Sequence, residues 1–188
     1  MSLHKTLLAA AVAAVAATGA HATTFDLGGS IGAMPTFAIT AGGSTATFTS
    51  PTGNGFVVQA TSGLLDFSPA LVDNNFFGTD TLTISFSKPV ADRILIPFAI
   101  LDAFGSGDTL TATTNTGQSI TFGTSPSGLA LGEPEGAVKF VPTSAISSLT
   151  LSSSLAFAIG NVDVPEPMSL SLLGIGLVGL AASRRRVR

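Results

Sequence analysis

The chain has 188 residues, 10% of them charged, and a formal net charge of −3. It has no Cys, Trp or Tyr, and both histidines, His4 and His21, lie within residues 1–22. The rest of the chain therefore lacks the groups needed for Ser-His-Asp or Cys-His catalysis and for ordinary zinc, copper or haem sites. Residues 23–163 hold three cations against ten carboxylates, which argues against nucleic acid as a partner.

The first 22 residues have the layout of a secretory signal peptide. Lys5 lies in a short polar start, an apolar run follows from Leu7 to Ala17, and Ala20 and Ala22 form a small-x-small cleavage pattern. We expect this segment to form a signal helix that signal peptidase removes after Ala22. The mature protein would then begin at Thr23.

Hydrophobic residues alternate with Thr and Ser through most of the body, as in half-buried antiparallel strands. The clearest examples are Thr79–Phe86, Ala137–Val141 and Ser148–Ser152, while Thr109–Phe122 has two alternating runs around Asn115-Thr116-Gly117, a hairpin signal. Further candidate strands are TFAIT, TATFTS, GFVVQAT, RILIPFAI and FAIGNVDV. About ten short strands without a helical stripe predict an all-β, antiparallel β-sandwich.

One run departs from this alternation. Arg93–Leu101 is apolar on both faces, which is typical of a central strand, but it contains Pro97. Because proline has no N–H for the ladder of hydrogen bonds, it belongs at an edge or a bulge. We therefore predict a bulge at Pro97.

The densest cluster of side-chain oxygens is LVDNNFFGTDT. Asp73, Asn75 and Asp80 are hard oxygen ligands of the kind that calcium prefers, but their spacing is not that of an EF-hand loop. Asx-rich turns also form without metal, because Asn and Asp bond their own backbone. The cluster is thus either a calcium site or a plain turn, and Asn161 and Asp163 are weaker candidate ligands. We expect no other cofactor.

Three further functions stay open for the body. A lectin-like carbohydrate site would have to use Phe76 or Phe77, because the chain has no Trp or Tyr. Thr-x-Thr runs are compatible with an ice-binding face, although they do not recur at one period. A glycosidase would need two facing carboxylates, whereas the pair in Glu133-Pro134-Glu135 lies in one loop. We expect the protein not to be an enzyme.

The C-terminal segment 164–188 combines three unlike features. Pro165, Glu166 and Pro167 are followed by the 15-residue uncharged run 168–182, and the chain closes with arginines. A helix over 168–182 would cover roughly 22 Å of a hydrocarbon core of about 30 Å, so it is marginal as an anchor and adequate as a transient one. The positive-inside rule keeps Arg184, Arg185 and Arg186 cytoplasmic.

This order of features resembles the PEP-CTERM sorting signal of exported Gram-negative proteins. The resemblance implies that exosortase, an integral-membrane transpeptidase, processes the tail near Pro165-Glu166-Pro167, which serve as recognition residues. A plain membrane anchor is the alternative. The body resembles the jelly-roll modules found upstream of such tails, whose last strand often reads A-I-D-N-V, with Gly160 here in the Asp place.

We therefore expect a signal peptide at 1–22, a jelly-roll-like β-sandwich at 23–163 and a sorting tail with a hydrophobic helix at 164–188. Carriers of such tails are commonly linked to exopolysaccharide and biofilm matrix, so exopolysaccharide is a further expected partner. The expected route passes through the inner membrane, with the body in the periplasm, to the cell surface or extracellular matrix. The alternative function is a carbohydrate- or calcium-binding module.

Overall fold

The computed structural model describes residues 23–28, 36–50, 56–59, 65–73, 80–101, 109–126 and 133–164. These residues form strands and connecting turns, with no helix among them. In chain order the strands are β1 (Thr23–Phe25), β2 (Thr36–Ala41), β3 (Ser44–Thr49), β4 (Phe56–Gln59), β5 (Ala70–Asp73), β6 (Asp80–Val90), β7 (Ile94–Ile100), β8 (Thr109–Thr114), β9 (Ser119–Gly123), β10 (Glu135–Phe140), β11 (Ile146–Ser153), β12 (Phe157–Ile159) and β13 (Val162–Val164).

The strands form two antiparallel sheets. In sheet A, the pairing runs in the order β1-β13-β7-β12-β5-β4; β12 and β13 both lie along one side of β7, and β10 pairs with its other side. Sheet B has the order β2-β3-β6-β11-β8-β9. Eight strands pair in a nested way, because β5 pairs with β12, β6 with β11, β7 with β10 and β8 with β9. The predicted all-β antiparallel fold is confirmed, whereas β1 and β5 were not predicted.

The alternating residues face a core that the two sheets share. In β6, Leu82 and Ile84 are at most 1% exposed while Thr81 and Thr83 between them are half-buried. Residues of both sheets belong to this one apolar cluster, so the fold is a β-sandwich. Phenylalanines fill it as expected from the alternation, and the rings of Phe56 and Phe157 meet edge-on with centroids 5.5 Å apart.

The predicted hairpin is present between β8 and β9. Gly117 has φ of +86°, a left-handed conformation that favours glycine, and its N–H donates to the Thr114 carbonyl at 3.0 Å. The Asn115 side chain fixes this turn to the start of β11, because its Oδ1 accepts from the N–H groups of Ser147 and Ser148 at 2.9 and 3.2 Å.

The predicted bulge at Pro97 is wrong, because the irregularity lies on the opposite strand. Pro97 pairs in uninterrupted register with β10. On the other side of β7, Phe98 is opposite Ile159 and Leu95 is opposite Asp163. Between these two pairs β7 advances by three residues and the partner segment by four, so the partner has one extra residue. The extra residue lies in the break between β12 and β13, which contains Gly160 and Asn161.

The direction of the backbone amides explains this placement. Leu101 donates its N–H to the Ala156 carbonyl, on the β12 side, at 2.8 Å. Because amide direction alternates along a strand, the N–H that Pro97 lacks would also face this side. It faces the break between β12 and β13, where the Gly160 N–H instead donates to the Pro97 carbonyl at 2.9 Å. A proline is therefore accommodated within a central strand.

Gly160 is required at this break by its close packing. A Cβ added there would lie 2.6 Å from Pro97 Cγ and 3.0 Å from Phe67 Cδ2. Position 160 thus has no room for a side chain in this protein.

We predict that Gly160→Ala destabilises the sandwich by about 1–3 kcal/mol, because the added methyl overpacks the contact with Pro97. The measurement is the midpoint of urea unfolding. Gly123→Ala is the matched control, since nothing lies within 4 Å of a Cβ added at that strand residue. Equal midpoints for the two variants would contradict this account of the break.

Two carboxyl groups meet at the start of β10. The Asp66 N–H donates to Glu135 Oε1 at 2.6 Å. Burial raises the pKa of the Glu135 carboxyl above its usual value of 4.5; the Asp66 N–H opposes this shift, whereas the Asp66 carboxylate adds to it. Because the folded protein binds this proton more tightly than the unfolded chain, Glu135 contributes stability that is fully present below pH 4.5 and is lost as the pH rises through its folded pKa.

We expect Glu135→Gln to raise the thermal midpoint at pH 7, and this gain should shrink as the pH is lowered toward 4.5, since Gln resembles the protonated acid. Thermal midpoints measured across this range check the expectation. Glu133→Gln changes the formal charge identically two residues away and serves as the control. A gain for Glu135→Gln that is the same at every pH would contradict the raised pKa of Glu135.

Candidate functional site

The predicted sorting tail follows β13, a strand that pairs with β1 at the predicted start of the mature chain. In β1 and β13, Thr23 is opposite Val164, Thr24 is opposite Asp163 and Phe25 is opposite Val162. The chain thus enters and leaves the sandwich at two directly opposed residues. Pro165, the first residue of the predicted recognition triplet, follows Val164 without a spacer.

The inner end of this pair of strands is anchored in the core. Phe25 and Leu27 are each 1% exposed and Val162 is fully buried. The Leu27 N–H donates to Asn161 Oδ1 at 3.0 Å, so the residue after the break also holds the chain that follows β1.

The outer end is held by polar contacts. Thr24 Oγ1 donates to Asp163 Oδ1 at 2.6 Å, in an exposed position. The β2–β3 turn packs on the same end, because a Cβ added at Gly42 would overlap the side chain of Thr23. Asp163, a weaker candidate calcium ligand in sequence, serves here as a hydrogen-bond acceptor between strands.

The predicted calcium ligands are only partly described. Asp73 is the last residue of β5, is 1% exposed and is paired opposite Phe56. Asp80 begins β6, whereas Asn75, Phe76 and Phe77 lie outside the described residues. Within the described ranges, no three His, Cys, Asp or Glu side chains form a group that could hold a metal ion. The calcium site stays a prediction.

The two glutamates considered for glycosidase chemistry are Glu133 and Glu135. The Glu135 side chain is directed to Asp66 through the hydrogen bond from the Asp66 backbone. Its backbone N–H and C=O both pair with Ser125, at 2.8 and 2.7 Å. Glu135 thus connects β10 to two neighbouring segments, which is a structural role.

Sheet B presents an outer surface of hydroxyl groups, here called the hydroxyl face. Along each of its six strands, the outward positions are occupied mainly by Thr and Ser, and the two charged residues of these strands, Asp80 and Lys88, lie toward the two ends of β6. The outward Thr and Ser residues are Thr36, Thr40, Thr45, Thr47, Thr49, Thr81, Thr83, Ser85, Thr109, Thr111, Thr113, Ser119, Thr121, Ser148, Thr150 and Ser152.

The register of sheet B aligns these hydroxyl groups laterally. Thr49, Thr83, Thr150, Thr113 and Ser119 are successive partners across five strands. The Thr83–Thr150 and Thr113–Ser119 hydroxyl pairs lie 3.3 and 3.0 Å apart. The Thr runs lack a common period in sequence, yet the sheet brings them into rows spaced about 4.8 Å across and about 6.8 Å along the strands.

The sequence-predicted processing residues lie outside the described part of the chain. They are Ala20, Ala22, Pro165, Glu166, Pro167, Arg184, Arg185 and Arg186. No helix within the described residues is long and apolar enough to cross a membrane. The signal helix and the C-terminal helix therefore stay predictions.

Three comparisons place the chain among known proteins. A family model described as the PEP-CTERM protein-sorting motif matches residues 163–186. No curated protein matches. A solved structure described as CBM35 from Cellvibrio japonicus Abf62 is 14% identical, with a TM-score of 0.32, over 63% of this chain and 96% of that one. Asp163 and Val164 thus belong both to β13 and to the matched motif, and the chain is a PEP-CTERM motif-containing protein.

Proposed function

We propose that this protein is exported, processed by exosortase through its PEP-CTERM motif, and retained at the cell surface or in the extracellular matrix without catalysing a reaction. The observation that carries the proposal is the motif itself, which begins at Asp163 in the last strand of the sandwich. The nested strand pairing supports a jelly-roll-like body. Such a body is stable without disulfides, because its large apolar core is shared by two sheets.

The tail suits transient attachment to the membrane. Its uncharged stretch is shorter than a full span, and the arginines that follow hold its end on the cytoplasmic side. The signal peptide starts export and the tail delays release until exosortase acts at Pro165-Glu166-Pro167. A surface-bound or matrix-bound sandwich is the product of this order of events.

We predict that the processed protein begins at Thr23 and lacks Arg184–Arg188. Pro165→Ala combined with Pro167→Ala should leave the arginines in place, because the recognition triplet is lost. Intact-mass measurement of surface-located protein from an exosortase-containing host checks both points. Pro126→Ala, at an exposed proline after β9, is the control and should be processed normally. Arginines retained on the surface-located wild-type protein would favour a plain anchor.

The hydroxyl face favours a second function, namely adhesion to a neutral polysaccharide of the matrix. Thr and Ser hydroxyl groups both donate and accept hydrogen bonds, as sugar hydroxyl groups do. An uncharged face places no charge to be desolvated under a neutral polymer. Without stacking aromatic rings each contact is weak, but many regularly spaced contacts along one polymer add up through multivalency.

We expect Thr83→Lys combined with Thr150→Lys to reduce retention of the secreted protein on purified neutral exopolysaccharide. Two charges at the centre of the hydroxyl face would require desolvation on binding. Gln59→Lys combined with Ala137→Lys adds the same charge at exposed positions of sheet A and is the control. Co-sedimentation measures retention. Equal retention of both double variants would exclude this face as the adhesive surface.

A further inference from the structure

The sorting motif and the last strand of the sandwich share two residues. The matched motif starts at Asp163, and Asp163 and Val164 are also the last two residues of β13. A processing enzyme that engages Pro165-Glu166-Pro167 therefore works directly at the sheet, with no linker between.

The backbone of β13 is already paired on both sides at this point. Asp163 is opposite Thr24 of β1 on one side and opposite Leu95 of β7 on the other. An enzyme that binds an extended peptide needs the peptide's backbone N–H and C=O groups for its own hydrogen bonds. These groups become available at Asp163 and Val164 only when the strand separates from its neighbours.

The structure shows where such a separation would stop. Val162 and Phe25 are at most 1% exposed and hold the inner end of the pair in the core. By contrast, Thr24 is exposed, and Thr23, Asp163 and Val164 are only partly buried. Opening the outer two pairs breaks the Thr24–Asp163 hydrogen bond and removes the partly buried Val164 from the edge of the core, but it leaves the buried Val162 and Phe25 in place. Such a limited opening costs less free energy than separation of the core strands.

We propose that the outer pairs of β1 and β13, Thr23–Val164 and Thr24–Asp163, form a clasp that must open before exosortase can engage the motif. The mature N-terminal strand thereby sets the access to the C-terminal processing site. Thr24 acts as a positioning residue, outside the matched motif, through its bond to Asp163. The inference rests on the proposed processing of the tail.

A disulfide across the clasp tests this directly, because the natural chain has no cysteine. Thr24 and Asp163 are directly opposite in an antiparallel pair, which places their Cα atoms about 4.5–5.5 Å apart, within the range that a disulfide between Thr24→Cys and Asp163→Cys can span. The control lock is Val57→Cys with Val72→Cys, another directly opposed pair, in β4 and β5 at the other end of sheet A. Asp163→Cys alone controls for the change within the motif.

Each full-length variant is incubated with exosortase-containing membranes, oxidised or reduced, and loss of the arginine tail is followed by mass spectrometry. We expect the oxidised clasp variant to lose processing and to recover it on reduction, while the control lock and Asp163→Cys are processed in both states. Thr24→Val, which removes only the hydrogen bond, should be processed faster than wild type.

Processing of the oxidised clasp variant at the wild-type rate would overturn the proposal. So would a failure of reduction to restore processing, provided that Asp163→Cys is processed and thermal unfolding shows the reduced clasp variant to be folded. Absence of processing in the wild type itself would instead count against the proposed sorting function. The two failures are therefore distinguishable.

Discussion

The rest of the fold depends on one contact in sheet A, between Pro97 in β7 and the break between β12 and β13. Strand β7 is central, with β10 on one side and β12 and β13 on the other. A proline there would leave a gap in a continuous ladder, but the missing N–H faces the break, and the Gly160 N–H donates to the Pro97 carbonyl instead. This contact lets a strand with neighbours on both sides carry a proline. It also divides the last stretch of the body into two short strands.

The division decides how the tail is attached. Because β13 is separate from β12, it has its own neighbour, β1, and only one registered pair with β7. Within the described register of sheet A, Thr23 and Val164 therefore pair with each other alone, whereas Asp163 is also opposite Leu95. An element with few registered pairs and an exposed outer end opens more easily than the core strands. The proposed clasp comprises the four outer residues of this strand pair, and Val162 beside them is fully buried.

The two faces of sheet B differ in composition. Its inner face supplies Leu and Ile to the core, while its outer face carries hydroxyl groups in register across the strands. Thr and Ser satisfy the solvent side of a strand without adding charge, and neighbouring hydroxyl groups bond to each other. The charged residues of sheet B, Asp80 and Lys88, lie toward the ends of β6, so the hydroxyl groups between them form a neutral surface. The proposed adhesion to a neutral polymer rests on that surface.

The sequence alone determined the class of the fold, most strand positions, the hairpin at Gly117 and the sorting tail, because these follow from local periodicity, turn chemistry and a linear motif. It did not reveal β1 or β5, since three or four residues carry too little periodicity, and their partners are distant in the chain. Tertiary structure alone decided that the irregularity beside Pro97 lies on the partner strand, that Glu135 meets Asp66, and that separate Thr runs form one face. The physical reason is the same in each case: strand register and lateral order are set by contacts between residues far apart in sequence, which no local pattern encodes.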